Sequence, residues 1–85
     1  MTVILAVFRS RTQTLRFIEL MRYRGVQCTV VQTPPEVRVG CGTSGKFHSC
    51  DIHIAKMIIS QNRFDSFVGF YEWKKFAGQT VVIKL

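Results

Sequence analysis

The stretch Thr2 to Phe8, TVILAVF, is apolar and β-branched with no polar break after its first residue. A strand of that kind belongs in the middle of a sheet, covered on both faces. In a chain of 85 residues this requirement is severe. Domains run from about 50 to 250 residues, and two smaller cores would each bury too little surface to hold together, so one core has to be built around this strand. The composition suffices for such a core, since 47% of residues are hydrophobic and 12% aromatic, far from the signature of disorder. No linker, repeat or low-complexity stretch divides the chain, and its two prolines sit together at Pro34 and Pro35, marking one turn. Residues 1–85 are read as a single domain.

Ser10 or Thr12 caps a helix after the first strand, because a hydroxyl there accepts from the free amides of the first turn. On that helix Thr14, Phe17, Ile18 and Met21 share one face, with Arg16, Glu19 and Tyr23 opposite, and Gly25 supplies the stop. Val26 to Gln32 reads as a second strand, ended by Thr33-Pro34-Pro35, where missing amide donors forbid a central ladder. The loop that follows is glycine-rich, with Gly40, Gly42 and Gly45, and Lys46 to Ser49 is expected to form a short third strand. Ser49 or Asp51 caps a second helix whose residues Ile52, Ile54, Ala55, Ile58 and Ile59 make a broad apolar arc, against a polar strip of His53, Lys56 and Ser60. Phe64 to Trp73 is a fourth strand, and Gly78 helps turn the chain into a last one, Thr80 to Leu85. The order predicts an α+β fold, a two-layer ferredoxin-like βαββαβ sandwich with a short extra C-terminal strand, both helices on one face and the other face of the sheet open.

The apolar run at the start lacks a basic leader and is too short for a signal peptide or a membrane span, which predicts a cytoplasmic protein. Three cysteines, Cys28, Cys41 and Cys50, are too few and odd in number for a disulfide framework, so any cysteine function would be reactive or metal-binding. The formal charge of +7 favours anionic partners. Much of it comes from Arg9, Arg11, Arg16, Arg22 and Arg24 in and around the first helix, where a charge run is usually a solvated face.

Cys41 is the leading candidate for chemistry. Gly40 and Gly42 flank it, exposing the sulfur and freeing local amides to form an anion-binding nest, while Arg38 and Lys46 supply positive charge if the loop folds them inward. A thiolate so placed is the nucleophilic form of cysteine, able to accept sulfur as a persulfide. The bland alternative is an ordinary loop thiol whose glycines merely turn the chain. Cys28, inside a strand, reads as a small buried hydrophobe. Cys50, at the start of the second helix, reads as half-buried structure or as a resolving thiol for Cys41. His48, Cys50 and His53 form the only metal-like cluster, without the second ligand pair that a zinc site needs. No cofactor is implied.

The stretch Pro35-Glu36-Val37-Arg38-Val39-Gly40-Cys41-Gly42, just after a second strand, resembles a small bacterial family described as selenium or sulfur carrier-like, whose members read strand, helix, strand, then a proline-led loop ending in Cys-Gly. The helix start at Val7-Phe8-Arg9-Ser10 is similar too. Where the family has arginine after the proline, this chain has Glu36, with Arg38 two residues later. The resemblance implies a cysteine that carries sulfur or selenium between donor and acceptor proteins.

Two rival classes stand beside a carrier. Four-stranded sheets of this kind can stack single-stranded RNA on exposed aromatics, and Tyr71 and Trp73 alternate onto one face, yet Val68 rather than a basic residue precedes Gly69 and Glu72 would repel phosphate. The same aromatics on an open face suit a protein-interaction surface or a homodimer contact. No paired carboxylates, Ser-His-Asp set or phosphate-binding glycine motif occurs, so a carrier or accessory protein is favoured over a stand-alone enzyme.

Overall fold

A computed structural model describes residues 2–85. The elements run β1 (Val3–Phe8), α1 (Arg11–Tyr23), β2 (Thr29–Gln32), a 3-10 turn at Pro35–Val37, β3 (Thr43–His48), a second 3-10 turn at Ser49–Asp51, α2 (Ile52–Gln61), β4 (Phe67–Phe76) and β5 (Gln79–Lys84). All strand pairs are antiparallel in a five-stranded sheet of order β2-β3-β1-β4-β5. This is the expected α+β, ferredoxin-like topology with one added C-terminal strand. The unbroken apolar strand is central: β1 pairs with β3 on one side and β4 on the other.

Both helices pack on one face. There Ile4, Ala6 and Phe8 of β1 meet Phe17, Ile18 and Met21 of α1, and Ala55 and Ile58 of α2. Phe8 anchors this core, its ring 5.2–5.4 Å from those of Phe17, Phe64 and Phe67. Burying each such side chain contributes roughly 1.5–3 kcal/mol. A β-bulge between Val7 and Phe8 pairs Val7 with Gly69 but Phe8 with Phe67, leaving Val68 as the extra residue. The bulge allows Phe67 and Phe70, three apart, to face the same core.

The second face is not open over its middle. Val37 and Val39 of the loop between β2 and β3 fold back beneath the sheet against Leu5, Val7, Tyr71, Trp73 and Val82. Tyr71 keeps only 9% of its surface exposed, so the aromatic platform expected for base stacking lies largely under this loop. Spacing of apolar residues predicts which face a strand residue points to; it does not show that a loop will return to cover it.

Several boundaries differ from the sequence expectation for local reasons. Cys28 lies just before β2 rather than inside it, although it is buried as expected. β3 begins at Thr43, three residues before the predicted start, because Gly45 is a strand residue: α1 lies so close that a Cβ there would come within 3.0 Å of Ile18 Cγ1. Phe64 belongs to the turn before β4, and β4 continues to Phe76. Its hairpin to β5 closes through Ala77 and Gly78, both at positive φ, the backbone of a type I′ turn. Ser10 is the N-cap of α1, its Oγ accepting the Gln13 N–H at 3.2 Å, and Asp51 stands at the N-cap of α2 without a side-chain capping bond. No helix is long and apolar enough to cross a membrane among the described residues.

Candidate functional site around Cys41

The loop from Thr33 to Gly42 is closed at its base, where the Thr33 N–H donates to the Gly42 carbonyl at 2.9 Å. Pro35 opens the 3-10 turn and the Val37 N–H returns to the Pro34 carbonyl. Val37 and Val39 are thereby pressed onto the second face, and the chain must then climb past the end of β1 to enter β3. Gly40 is the passage. At φ +104 it lies so close to β1 that a Cβ would fall 2.8 Å from Val7 Cγ1 and 2.9 Å from the Phe8 carbonyl oxygen. Cys41 follows, its N–H donating to that Phe8 oxygen at 2.9 Å. Gly42 sits at φ +86 with open space around its Cα, so its requirement is conformational alone.

By sequence, these glycines unshield the sulfur and free amides for an anion nest. Their geometry serves passage and turning instead, and the Cys41 amide is spent on the Phe8 carbonyl. Cys41 is partly buried rather than displayed at a loop tip.

Its sulfur points to the helix side of the sheet, beside the first turn of α1. Sγ lies 3.6 Å from Thr14 Oγ1 and 3.5 Å from the Thr43 carbonyl oxygen. Arg11 is tied into this cluster, its Nη1 donating to Thr43 Oγ1 at 3.1 Å. The helix start itself is held by side chains from the loop before β4: Gln13 Oε1 accepts from the Ser66 backbone and hydroxyl at 3.1 and 2.6 Å, and Gln13 Nε2 donates to Asp65 at 2.6 Å. Ser10, Arg11, Thr14 and Thr43 are the residues that sequence reasoning missed here. Thr14 carried a signal, being the one hydroxyl on an otherwise apolar helix face.

Neither basic residue expected to help Cys41 reaches it. Arg38 is exposed, in the left-handed region at φ 54, and borders a shallow hollow of about 220 Å³ with Pro35 and Gly42 that does not include Cys41. Lys46 points to the opposite face of the sheet, its Nζ 6.0 Å from the Trp73 ring centroid. Strand alternation is the cause: Lys46 pairs with Leu5, and both face away from the helices.

Cys50 ends up at the other end of β1. Cys41 bonds the carbonyl of Phe8, whereas Ser49 bonds that of Thr2, and six steps of strand put these points ~20 Å apart. Cys50 is exposed, with its Sγ 3.7 Å from the Asp51 carboxylate, and it does not meet Cys41 as a resolving thiol would. Cys28 is buried, and burial pushes its thiol up to about 12, an effect that Arg22 opposes. Among the described residues no three His, Cys, Asp or Glu side chains converge on a point that could hold a metal ion, so His48, Cys50 and His53 are not brought together.

Residues 4–71 match the family model described as "Putative Se/S carrier protein-like". The chain belongs to that family. The matched segment spans β1 to the middle of β4 and includes Cys41 with everything that touches it, while the end of β4 and all of β5 lie beyond the match. No curated protein and no solved structure matches the chain significantly.

Proposed function

We propose that the protein carries sulfur or selenium on Cys41, receiving it from one protein and passing it to another. The observation that supports this most directly is the seat of Cys41: an accessible but partly buried sulfur inside the family segment, bonded on one side to strand β3 and on the other to the first turn of α1. A persulfide transfer needs only a thiolate. The Cys41 sulfur attacks the outer sulfur of a donor persulfide, the donor's sulfur–sulfur bond breaks, and the donor leaves as its own thiolate; the reverse step delivers the atom to an acceptor. The Arg11 guanidinium is tied to the same cluster through Thr43 Oγ1, and the start of α1 lies beside it.

A cytosolic setting is part of this reading, since the thiol has to stay reduced between transfers. The partners are donor and acceptor proteins that present a persulfide or a receiving nucleophile. Two of the arginines that could attract nucleic acid are engaged in holding α1: Arg22 donates to the Cys28 carbonyl at 2.8 Å, and Arg16 stands over the Phe64 ring at 5.5 Å.

The test is anaerobic incubation with a cysteine desulfurase and cysteine, followed by intact-mass measurement. The expected result is a reducible gain of one sulfur atom that disappears in Cys41→Ser. Sulfur uptake by the Cys41→Ser protein, or none by the natural one, would overturn the assignment.

A further inference from the structure

Thr14 is fully buried among Phe17, Ile18 and Met21 on the inner face of α1. A buried hydroxyl must be bonded, and water cannot serve this one. Its Oγ1 donates to the Ser10 carbonyl at 2.9 Å, an oxygen that also accepts the Thr14 backbone N–H at 3.0 Å. The same Oγ1 lies 3.6 Å from Cys41 Sγ. A hydroxyl has one proton to give and two lone pairs with which to accept.

The two ionisation states of Cys41 therefore ask different things of Thr14. As a thiol, Cys41 has two acceptors within reach, Thr14 Oγ1 and the Thr43 carbonyl, and the Thr14 proton stays on Ser10. As a thiolate, the sulfur faces a carbonyl oxygen and needs a donor instead. The Thr14 O–H can turn to it without orphaning the Ser10 carbonyl, which keeps the helical N–H. We propose that Thr14 is a rotatable hydrogen-bond donor that stabilises and orients the thiolate of Cys41. This rests on the reading of Cys41 as the carrier.

The charged side chains on the neighbouring elements are Arg9 after β1, Arg11 on α1, Arg38 in the loop and Asp65 before β4; Arg11 is tied to the cluster through Thr43 Oγ1, Arg38 does not reach the sulfur, and Asp65 is held by Gln13. Lys46 of β3 faces the other side. A change confined to the Thr14 hydroxyl leaves all of them in place.

The experiment compares Thr14→Val, which removes the hydroxyl at similar volume, with Thr14→Ser, which keeps it, both in a Cys50→Ser background. Iodoacetamide labelling of Cys41 is followed by peptide mapping as a function of pH, with thermal unfolding as a check on folding. Thr14→Val should move the labelling profile up by about one pH unit, a roughly tenfold slower reaction at neutral pH, and Thr14→Ser should restore it. If Thr14→Val does not fold, Thr14→Ala removes the same donor and is held to the same result. A hydroxyl-free variant whose profile superimposes on that of the natural protein, or a Thr14→Ser protein as slow as Thr14→Val, overturns the role of Thr14. Desulfurase loading measured in parallel separates the two readings: full loading with an unmoved profile sinks Thr14 alone, and a moved profile with no loading sinks the carrier alone.

Discussion

Cys41 and Cys50 lie beside opposite ends of β1, and the contrast between them shows that an exposed thiol is a different thing from one held by its neighbours. Cys50 is the more accessible, but its sulfur has only the neighbouring Asp51 carboxylate as a partner among the described residues. Cys41 gives up part of its exposure to be gripped by the Phe8 carbonyl at its backbone and by Thr14 and Thr43 at its sulfur. The Cys41 end of the sheet brings together the start of α1, the Arg11 guanidinium on Thr43 and the buried Thr14 hydroxyl, the groups on which the proposed carrier role would draw.

The sharpest way to break this comparison is to exchange the two thiols for hydroxyls. Cys41→Ser should lose essentially all desulfurase-dependent sulfur, and Cys50→Ser should keep it, as read by intact mass. Equal losses in both would mean that the ends of β1 are functionally alike.

Next in size is the passage that delivers Cys41. Gly40→Ala faces both a disfavoured φ and a collision with Val7 and the Phe8 carbonyl, and should cost about 2–4 kcal/mol, a drop of ~10 °C or more in Tm. Gly42→Ala meets no atom and should cost only about 1–2 kcal/mol, for its φ alone. Thermal unfolding decides between them; equal costs would show that the loop relaxes away from β1.

Cys28 sharpens the comparison from a third side, as a thiol the fold keeps protonated. Its folded value is raised from 9.0 to about 12 by burial, so above pH 9 the unfolded chain releases a proton that the folded chain retains. Stability linked to this group is complete below pH 9 and is lost as pH rises towards 12. Cys28→Ala should therefore show a shallower alkaline loss of stability in urea titrations, and an unchanged slope would place the alkaline transition in other groups.

The smallest effect concerns charge. Arg11→Ala should slow labelling of Cys41 two- to fivefold at low salt, consistent with ~0.5–1 kcal/mol for a partly screened interaction, and Arg38→Ala should leave the rate unchanged. A reversed ranking would mean that the loop folds Arg38 onto the sulfur in solution.

Much of the fold was legible because it depends on local periodicity. TVILAVF had to be central, and Thr14, Phe17, Ile18 and Met21 had to point inward, since 3.6-residue and two-residue repeats translate directly into faces. The errors fall where a residue's role depends on a distant neighbour. Gly45 has the look of a loop residue because its strand conformation is explained only by α1 lying against it. Lys46 has the look of a neighbour of Cys41 because five positions in sequence say nothing about which side of a sheet each occupies.

The site divides in the same way. From the sequence alone came the topology, the family-like Pro35 and Cys41-Gly42 loop, and the burial of Cys28. Tertiary structure decided what surrounds the sulfur. It returned the loop under the sheet to bury Val37 and Val39, led the chain past Phe8 through Gly40, and so brought Cys41 against Thr14, 27 positions away in sequence. Burial is a property of a whole surface being closed, and the hydrogen-bonding partners of a half-buried sulfur are set only once that closure is complete.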